Sequence, residues 1–145
     1  MFKHILLPVD GSPTADLAVD KALAIAQAFQ SHVSVICVVD PYAFTGVGTD
    51  LAYNQADYLS AVTAEADAAI TPARERLQAH GVEATGSVIE GQAVYRAILD
   101  AAEAVDADLV VMGSHGRHGL EKLILGSVTA QVLSHAHLPV LVVRD

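Results

Sequence analysis

The sequence predicts an α/β fold, a doubly wound, five-stranded parallel sheet of the Rossmann-like type with helices on both faces. Five short apolar runs, rich in valine, isoleucine and leucine, lack the polar alternation of half-exposed strands. Strands of a parallel sheet look like this when helices cover both faces. Amphipathic stretches separate the runs, so strand and helix alternate. With right-handed crossovers, we expect the strand order 3-2-1-4-5.

The strands are predicted from the apolar runs, taken in chain order. They cover Ile5–Val9, Val33–Val39, Val82–Ile89, Leu109–Met112 and Val140–Val143. The last of these lies at an edge of the expected sheet and carries no charge or proline that would protect an edge. We therefore expect the chain to form a homodimer, or a higher oligomer, through the edge strand Val140–Val143.

Capping residues and helical spacing predict four helices. Ser12 is the expected N-cap of the first, with Pro13 at its first position. The second lies within residues 52–80 and is expected to stop at Gly81, since glycine favours the left-handed conformation that ends helices. Apolar residues at helical spacing mark the third and the last helix: Val94, Ile98, Ala102 and Val105, then Val128, Val132, Leu133 and Ala136. Residues from Pro41 to Asp50 show no periodicity and predict a loop.

Length and charge limit the possible functions. At 145 residues, we expect a single domain spanning residues 1–145. The formal charge of −9, with only 8 lysines and arginines, disfavours nucleic acid as a partner. No apolar run approaches the roughly 18 residues of a membrane span, and no cleavable signal pattern is seen, so we expect a cytoplasmic protein. The single cysteine, Cys37, excludes an internal disulfide and is expected to be buried.

The expected ligand site lies between strands 1 and 4, where the winding of the sheet reverses. Ligands of open parallel sheets bind there, at the carboxyl ends of the strands. Asp10 follows strand 1, Gly113 and Gly116 follow strand 4, and Gly126-Ser127 opens the last helix. Glycine lets backbone N–H groups approach an anion, and a helix N-terminus adds a favourable dipole. These segments together predict a phosphate cradle, in which Arg117 and Lys122 would neutralise phosphate charge.

The spacing of these residues resembles a known signature. Gly113-x-x-Gly116, nine further residues and Gly126-Ser127 are similar to the ATP-binding motif of universal stress proteins. The opening Ile5–Ser12 and the closing Leu138–Val143 resemble the first and last strands of that family, so the resemblance covers essentially the whole chain. The chain departs from the family at Gly91-Gln92-Ala93, where many members have a proline.

The resemblance implies ATP as ligand, with Mg²⁺ or Mn²⁺. Pro8, Val9 and Asp10 would border the adenosine, with Asp10 near the ribose or a phosphate-bound metal, and Val38 would touch adenine. The ribose and phosphate side would be lined by Met112, Gly113, His115 and Gly116. Backbone and hydroxyl groups of Gly126, Ser127, Val128 and Thr129 would bind phosphates. The resemblance also implies dimerisation through the last strand and a regulatory partner such as a membrane transporter.

Three functions are compatible with such a site. The first, which we favour, is a nucleotide-dependent regulatory or stress-response module that acts through ATP-linked oligomerisation or partner binding. The others are a slow ATPase and a carrier of another nucleotide, such as a flavin. Neither a P-loop nor a kinase glycine-rich loop is present, so we expect no catalytic residue and slow hydrolysis at most. His115 and His118 do not have the spacing of a structural zinc site.

Overall fold

The computed structural model describes residues 1–41, 51–116 and 125–145, with the side chains of residues 51–55 excepted. Most of the predicted loop after Pro41 therefore lies outside the described residues, as do Arg117, His118 and Lys122. The elements are, in order, β1 His4–Pro8, α1 Pro13–Phe29, β2 His32–Val39, α2 Leu51–Ala79, β3 Ala84–Glu90, α3 Val94–Ala104, β4 Leu109–Gly113, α4 Ser127–His135 and β5 Val140–Val143.

The five strands form one parallel sheet in the order β3-β2-β1-β4-β5, which confirms the predicted fold class and strand order. The central strand β1 pairs with β2 on one side, with His4 opposite His32, and with β4 on the other. This arrangement brings the ends of β1 and β4 side by side. It also leaves β5 at an edge, where no strand of the described chain pairs with its outer side.

Both faces of the sheet are buried along its central strands β2, β1 and β4, which explains the missing polar alternation there. Along β1, Ile5 and Leu7 belong to the apolar core under α1 and α2, whereas Leu6 belongs to the second core under α3 and α4. All three side chains are fully buried. Because successive side chains of a strand point to opposite faces, a strand covered on both sides is apolar at nearly every position.

The start of α1 and the end of α2 follow the predicted capping signals, but the third strand begins later than predicted. The Ser12 hydroxyl accepts a hydrogen bond from the Ala15 N–H at 3.2 Å, as expected of an N-cap. Gly81 adopts the left-handed conformation with φ of 81°, and the Val82 N–H donates to the Leu77 carbonyl at 3.0 Å. Val82 thus caps the C-terminal end of α2 and lies outside both the helix and the strand that follows. The predicted start of the third strand at Val82 is wrong because this bond still ties the residue to the helix, and β3 begins at Ala84.

Asp108 fastens the start of β1 to the turn before β4, at the end of the sheet opposite the predicted site. Its carboxylate accepts the N–H groups of Lys3 at 2.8 Å and His4 at 3.1 Å. Burial acts to raise the pKa of Asp108, but these backbone hydrogen bonds outweigh burial, and its pKa lies below the usual value.

Within the described ranges, no helix combines the length and apolar character that crossing a bilayer requires.

Candidate functional site

A cavity of about 530 Å³ lies at the carboxyl ends of β1, β2 and β4. This volume is in the range of small-molecule sites. Every predicted site residue that the structure describes lines this cavity, whereas Arg117 lies outside the described residues. Those lining residues are Pro8, Val9, Asp10, Val38, Met112, Gly113, His115, Gly116, Gly126, Ser127, Val128 and Thr129.

The turn after β1 holds Asp10 at the cavity. One carboxylate oxygen of Asp10 accepts the Ser12 N–H at 2.9 Å, and Gly11 between them has φ of 81°. The other oxygen, Oδ2, faces the β4 loop, since a Cβ added at Gly116 would lie 2.5 Å from it. The missing side chain at Gly116 therefore leaves room for the end of the Asp10 side chain. The carboxylate that borders the cavity is oriented by this turn and this contact.

Gly113, at the end of β4, packs against α1. A Cβ at this position would lie 2.8 Å from Thr14 Oγ1 and 2.9 Å from the Thr14 carbonyl carbon. Contacts of this length are shorter than ordinary packing allows. The sequence suggested that the missing side chain makes room for an anion, but its place is next to helix α1. Gly113 is thus explained by packing, although its backbone still lines the cavity.

Helix α4 begins at the cavity without a side-chain cap. Gly126 is its N-cap, and the Gly126 N–H donates to the Ser114 carbonyl at 2.8 Å. A Cβ at Gly126 would lie 3.0 Å from His115 Cα, so glycine here also permits close packing of backbone segments. The next three N–H groups precede the first intrahelical bond, and none has an acceptor among the described residues. They belong to Ser127, Val128 and Thr129, all of which line the cavity.

Two buried threonines hold the loop after β4. Thr129 Oγ1 donates to the Gly113 carbonyl at 2.9 Å, and Thr14 Oγ1 donates to the His115 carbonyl. Both side chains are almost fully buried. The hydroxyl proton of Thr129, expected on a phosphate, is therefore engaged by Gly113, and only its backbone N–H remains available. The hydroxyl of Ser127, at the exposed first position of α4, has no hydrogen-bond partner among the described residues.

His115 lines the same cavity, and its imidazole makes no hydrogen bond to the described residues. Both ring nitrogens are buried and have no partner in the described part of the chain. A carboxylate oxygen, Asp145 Oδ1, lies 4.0 Å from Nε2. No sequence signal pointed to Asp145, since it lies thirty positions away and approaches His115 only because β5 pairs with β4.

Other lining residues were missed from sequence because they come from α1, α2, α3 and the end of β2. Their contribution depends on how the helices pack, which periodicity alone does not reveal. Asp40, directly after β2, could have been predicted from sequence. Strand β2 neighbours β1 in the expected order, so its carboxyl end faces the same crevice. These residues are Ser12, Ala15, Cys37, Val39, Asp40, Tyr58, Val62, Glu65, Ala66, Val94 and Ile98.

The described lining has more acidic than basic side chains. It includes the carboxylates of Asp10, Asp40 and Glu65, and His115 is its one side chain able to carry positive charge. Among the described residues, no three His, Cys, Asp or Glu side chains are grouped to hold a metal ion. Among the described residues, the α4 N-terminus and His115 are the groups that can compensate a bound anion, together with any cation that the anion carries.

Comparisons with known proteins find relatives of the whole chain. The universal stress protein family matches over residues 1–144. Universal stress protein MJ0531 of Methanocaldococcus jannaschii is 35% identical over 144 residues, which cover 99% of this chain and 83% of the relative. The solved structure of MJ0577 from the same organism has a TM-score of 0.87 at 28% identity, covering 100% of this chain and 97% of that one.

A more distant solved structure was determined with a nucleotide. It is the universal stress protein of Archaeoglobus fulgidus in complex with dAMP, with a TM-score of 0.66 and 21% identity. The match covers 99% of this chain and 98% of that one. At this identity, the likeness shows the shared fold.

Proposed function

Because this chain belongs to the universal stress protein family, we propose that it is a nucleotide-dependent regulatory or stress-response module whose cavity binds ATP. The observation that carries the proposal is the uncapped start of α4. Three backbone N–H groups without acceptors among the described residues meet a cavity of about 530 Å³ there. Such a helix N-terminus binds phosphate through its N–H groups and its dipole.

The lining divides into parts that suit the two ends of ATP. Val9, Val38 and Met112 offer apolar contact for adenine and ribose. The first turn of α4, from Ser127, is the expected position of the phosphates. A divalent cation, Mg²⁺ or Mn²⁺, would be held by the phosphates and by Asp10, and it would offset negative charge. This division is consistent with a site built from few polar groups on an apolar base.

An adenine monophosphate is the second candidate ligand. The described lining contains three carboxylates and one histidine, so each additional phosphate adds repulsion unless a cation accompanies it. This observation favours a nucleotide of lower charge when divalent cations are scarce. Titrations of ATP and AMP, each with and without Mg²⁺, distinguish the two candidates.

ATP hydrolysis with a turnover above about 1 per second would favour an ATPase over a regulatory module.

Proline at position 127 tests whether the α4 N–H groups bind the nucleotide. Ser127 is the first residue of α4, where proline fits because no intrahelical hydrogen bond is lost. The preceding Gly126, with φ of −63° and ψ of 157°, already has the conformation that a following proline requires. We expect Ser127→Pro to raise the Kd for ATP–Mg²⁺ roughly 10-fold or more, the value of one charge-assisted hydrogen bond. Isothermal titration calorimetry measures this change.

Ser127→Ala is the matched control, since it removes the hydroxyl and keeps the N–H. We expect its Kd to stay clearly below that of Ser127→Pro, and both variants to melt no lower than wild type. Equal affinities of the two variants would show that the N–H of residue 127 does not bind the ligand. If wild type binds neither ATP nor AMP, the proposed function itself is wrong.

We further propose that β5 mediates a homodimer. Its outer side is unpaired within the described chain, and Leu141 is 37% exposed there. Apolar edge strands pair readily with a second copy. Leu141→Lys is expected to give the monomer mass in sedimentation velocity at micromolar concentration, because a charge would enter the paired edge. Wild type is expected to sediment as a dimer that ATP–Mg²⁺ strengthens. A monomeric wild type with and without ATP would contradict the proposal.

A further inference from the structure

The backbone of His115 is fixed at the cavity, and its ring nitrogens have no hydrogen-bond partner among residues 1–41, 51–116 and 125–145. The Thr14 hydroxyl binds its carbonyl oxygen, and Gly126 packs against its Cα. The flanking Ser114 is fixed as well, because it accepts the Gly126 N–H at 2.8 Å and donates its own N–H to the Val143 carbonyl at 2.8 Å. These contacts therefore fix the backbone of residues 114 and 115 at the cavity and leave the orientation of the imidazole to other groups.

The side chain of His115 is only 15% exposed, yet neither ring nitrogen has a hydrogen bond within the described chain. Buried polar groups of native proteins are almost always paired, and leaving one unpaired is unfavourable. A ligand in the cavity is one partner that would satisfy a ring nitrogen. Such a ligand would satisfy one ring nitrogen, and the other would still need a hydrogen-bond partner.

Asp145 is the group that suits the second nitrogen. Its Oδ1 lies 4.0 Å from Nε2, too far for a hydrogen bond but close enough for electrostatic attraction. Asp145 follows Arg144, which directly follows β5, and its side chain is 35% exposed. A side chain with this freedom closes a gap of about 1 Å by a small change of torsion angle.

We propose that Asp145 is a positioning residue for the nucleotide site. Its carboxylate accepts a hydrogen bond from Nε2–H of His115, and Nδ1–H of the same ring donates to a nucleotide phosphate. An imidazolium donates from both nitrogens, whereas neutral imidazole donates from one. His115 is the described lining side chain that can bring positive charge to a cavity bordered by Asp10, Asp40 and Glu65. This inference rests on the proposed function and assigns phosphate recognition to a pair of residues.

The pair also connects the site with the edge of the sheet. Val143, the last residue of β5, already accepts the Ser114 N–H, and Asp145 lies two residues beyond it. When a phosphate orders His115 and Asp145, the segment after β5 is ordered with them. Nucleotide binding and pairing at the β5 edge thereby share the same short stretch of chain.

The test compares ATP–Mg²⁺ with adenosine, which has no phosphate. Asp145→Asn is expected to raise the Kd for ATP about tenfold, the size of one charge-assisted hydrogen bond, and to leave the Kd for adenosine within about twofold. Asp145→Glu keeps the charge and is expected to bind ATP within about threefold of wild type. In a double-mutant cycle, adding Asp145→Asn to His115→Gln is expected to weaken ATP binding little further, because the two residues act as a unit.

Three results would overturn the inference. If Asp145→Asn weakens adenosine as much as ATP, its effect is structural. If the fold increases of the Kd for ATP caused by Asp145→Asn and His115→Gln multiply in the double variant, the two residues act independently. If Asp145→Asn binds ATP like wild type, the carboxylate does not position His115. If wild type itself does not bind ATP, the proposed function is wrong together with this inference. That result differs from the three above, in which wild type binds ATP. Circular dichroism checks that each variant is folded.

Discussion

Replacing Leu77 with alanine is expected to lower the free energy of unfolding by about 2–5 kcal/mol. Leu77 is fully buried near the end of α2, in the core between the sheet and helices α1 and α2. Truncation removes buried apolar contacts and leaves a cavity that the surrounding residues refill only in part. Urea denaturation, followed by circular dichroism, measures the change.

Leu17→Ala is the matched control for Leu77→Ala. Leu17 lies on helix α1 and is 37% exposed, so the same truncation there leaves no enclosed cavity. We expect its effect to stay within about 0.5 kcal/mol, as for most surface substitutions. Comparable effects of the two variants would contradict the assignment of Leu77 to the core.

Gly113→Ala is expected to destabilise the domain by about 1–3 kcal/mol, the usual cost of overpacking. The new methyl group would lie 2.8 Å from Thr14 Oγ1 and 2.9 Å from the Thr14 carbonyl carbon, so the helix backbone itself would have to move. Thr14 also donates to the His115 carbonyl, and its displacement would disturb the cavity. The variant therefore loses stability and binding together. Thermal and urea denaturation without nucleotide measure the stability change directly.

Gly116→Ala, three residues further on, is the control for Gly113→Ala. Among the described residues, its methyl group would meet the end of the Asp10 side chain, at 2.5 Å from Oδ2, and a carboxylate can rotate away. We expect a loss below about 1 kcal/mol, because no backbone has to shift. If Gly116→Ala were the more destabilising of the two, the packing explanation for Gly113 would be wrong.

The sheet was predictable because strands buried on both faces consist almost entirely of apolar residues. Strands such as Val33–Val39 are apolar at nearly every position, and the alternation with amphipathic segments permits few topologies. The error at Val82 has a local cause. An apolar residue just after Gly81 looks the same in sequence whether it starts a strand or packs at the end of the preceding helix. The hydrogen bond from its N–H to Leu77 decides between the two.

The candidate site was partly predictable because the order of the strands determines which loops meet. Once β1 and β4 are neighbours, Asp10 and Gly116 must lie at the same end of the sheet. The contributions of α2 and α3 were not predictable, since Tyr58 and Ile98 reach the cavity through helix packing. Periodicity identifies the buried face of a helix but not which part of that face borders an opening.

The sequence by itself determined the fold class, the strand order, the caps at Ser12 and Gly81, and the end of the sheet where a ligand is expected. These features depend on local patterns and on the few connections that parallel strands allow. The tertiary structure alone decided that Gly113 packs on Thr14, that the Thr129 hydroxyl binds Gly113, and that Asp145 lies near His115. Such contacts join residues far apart in sequence, and their distances arise only when helices and strands pack in three dimensions.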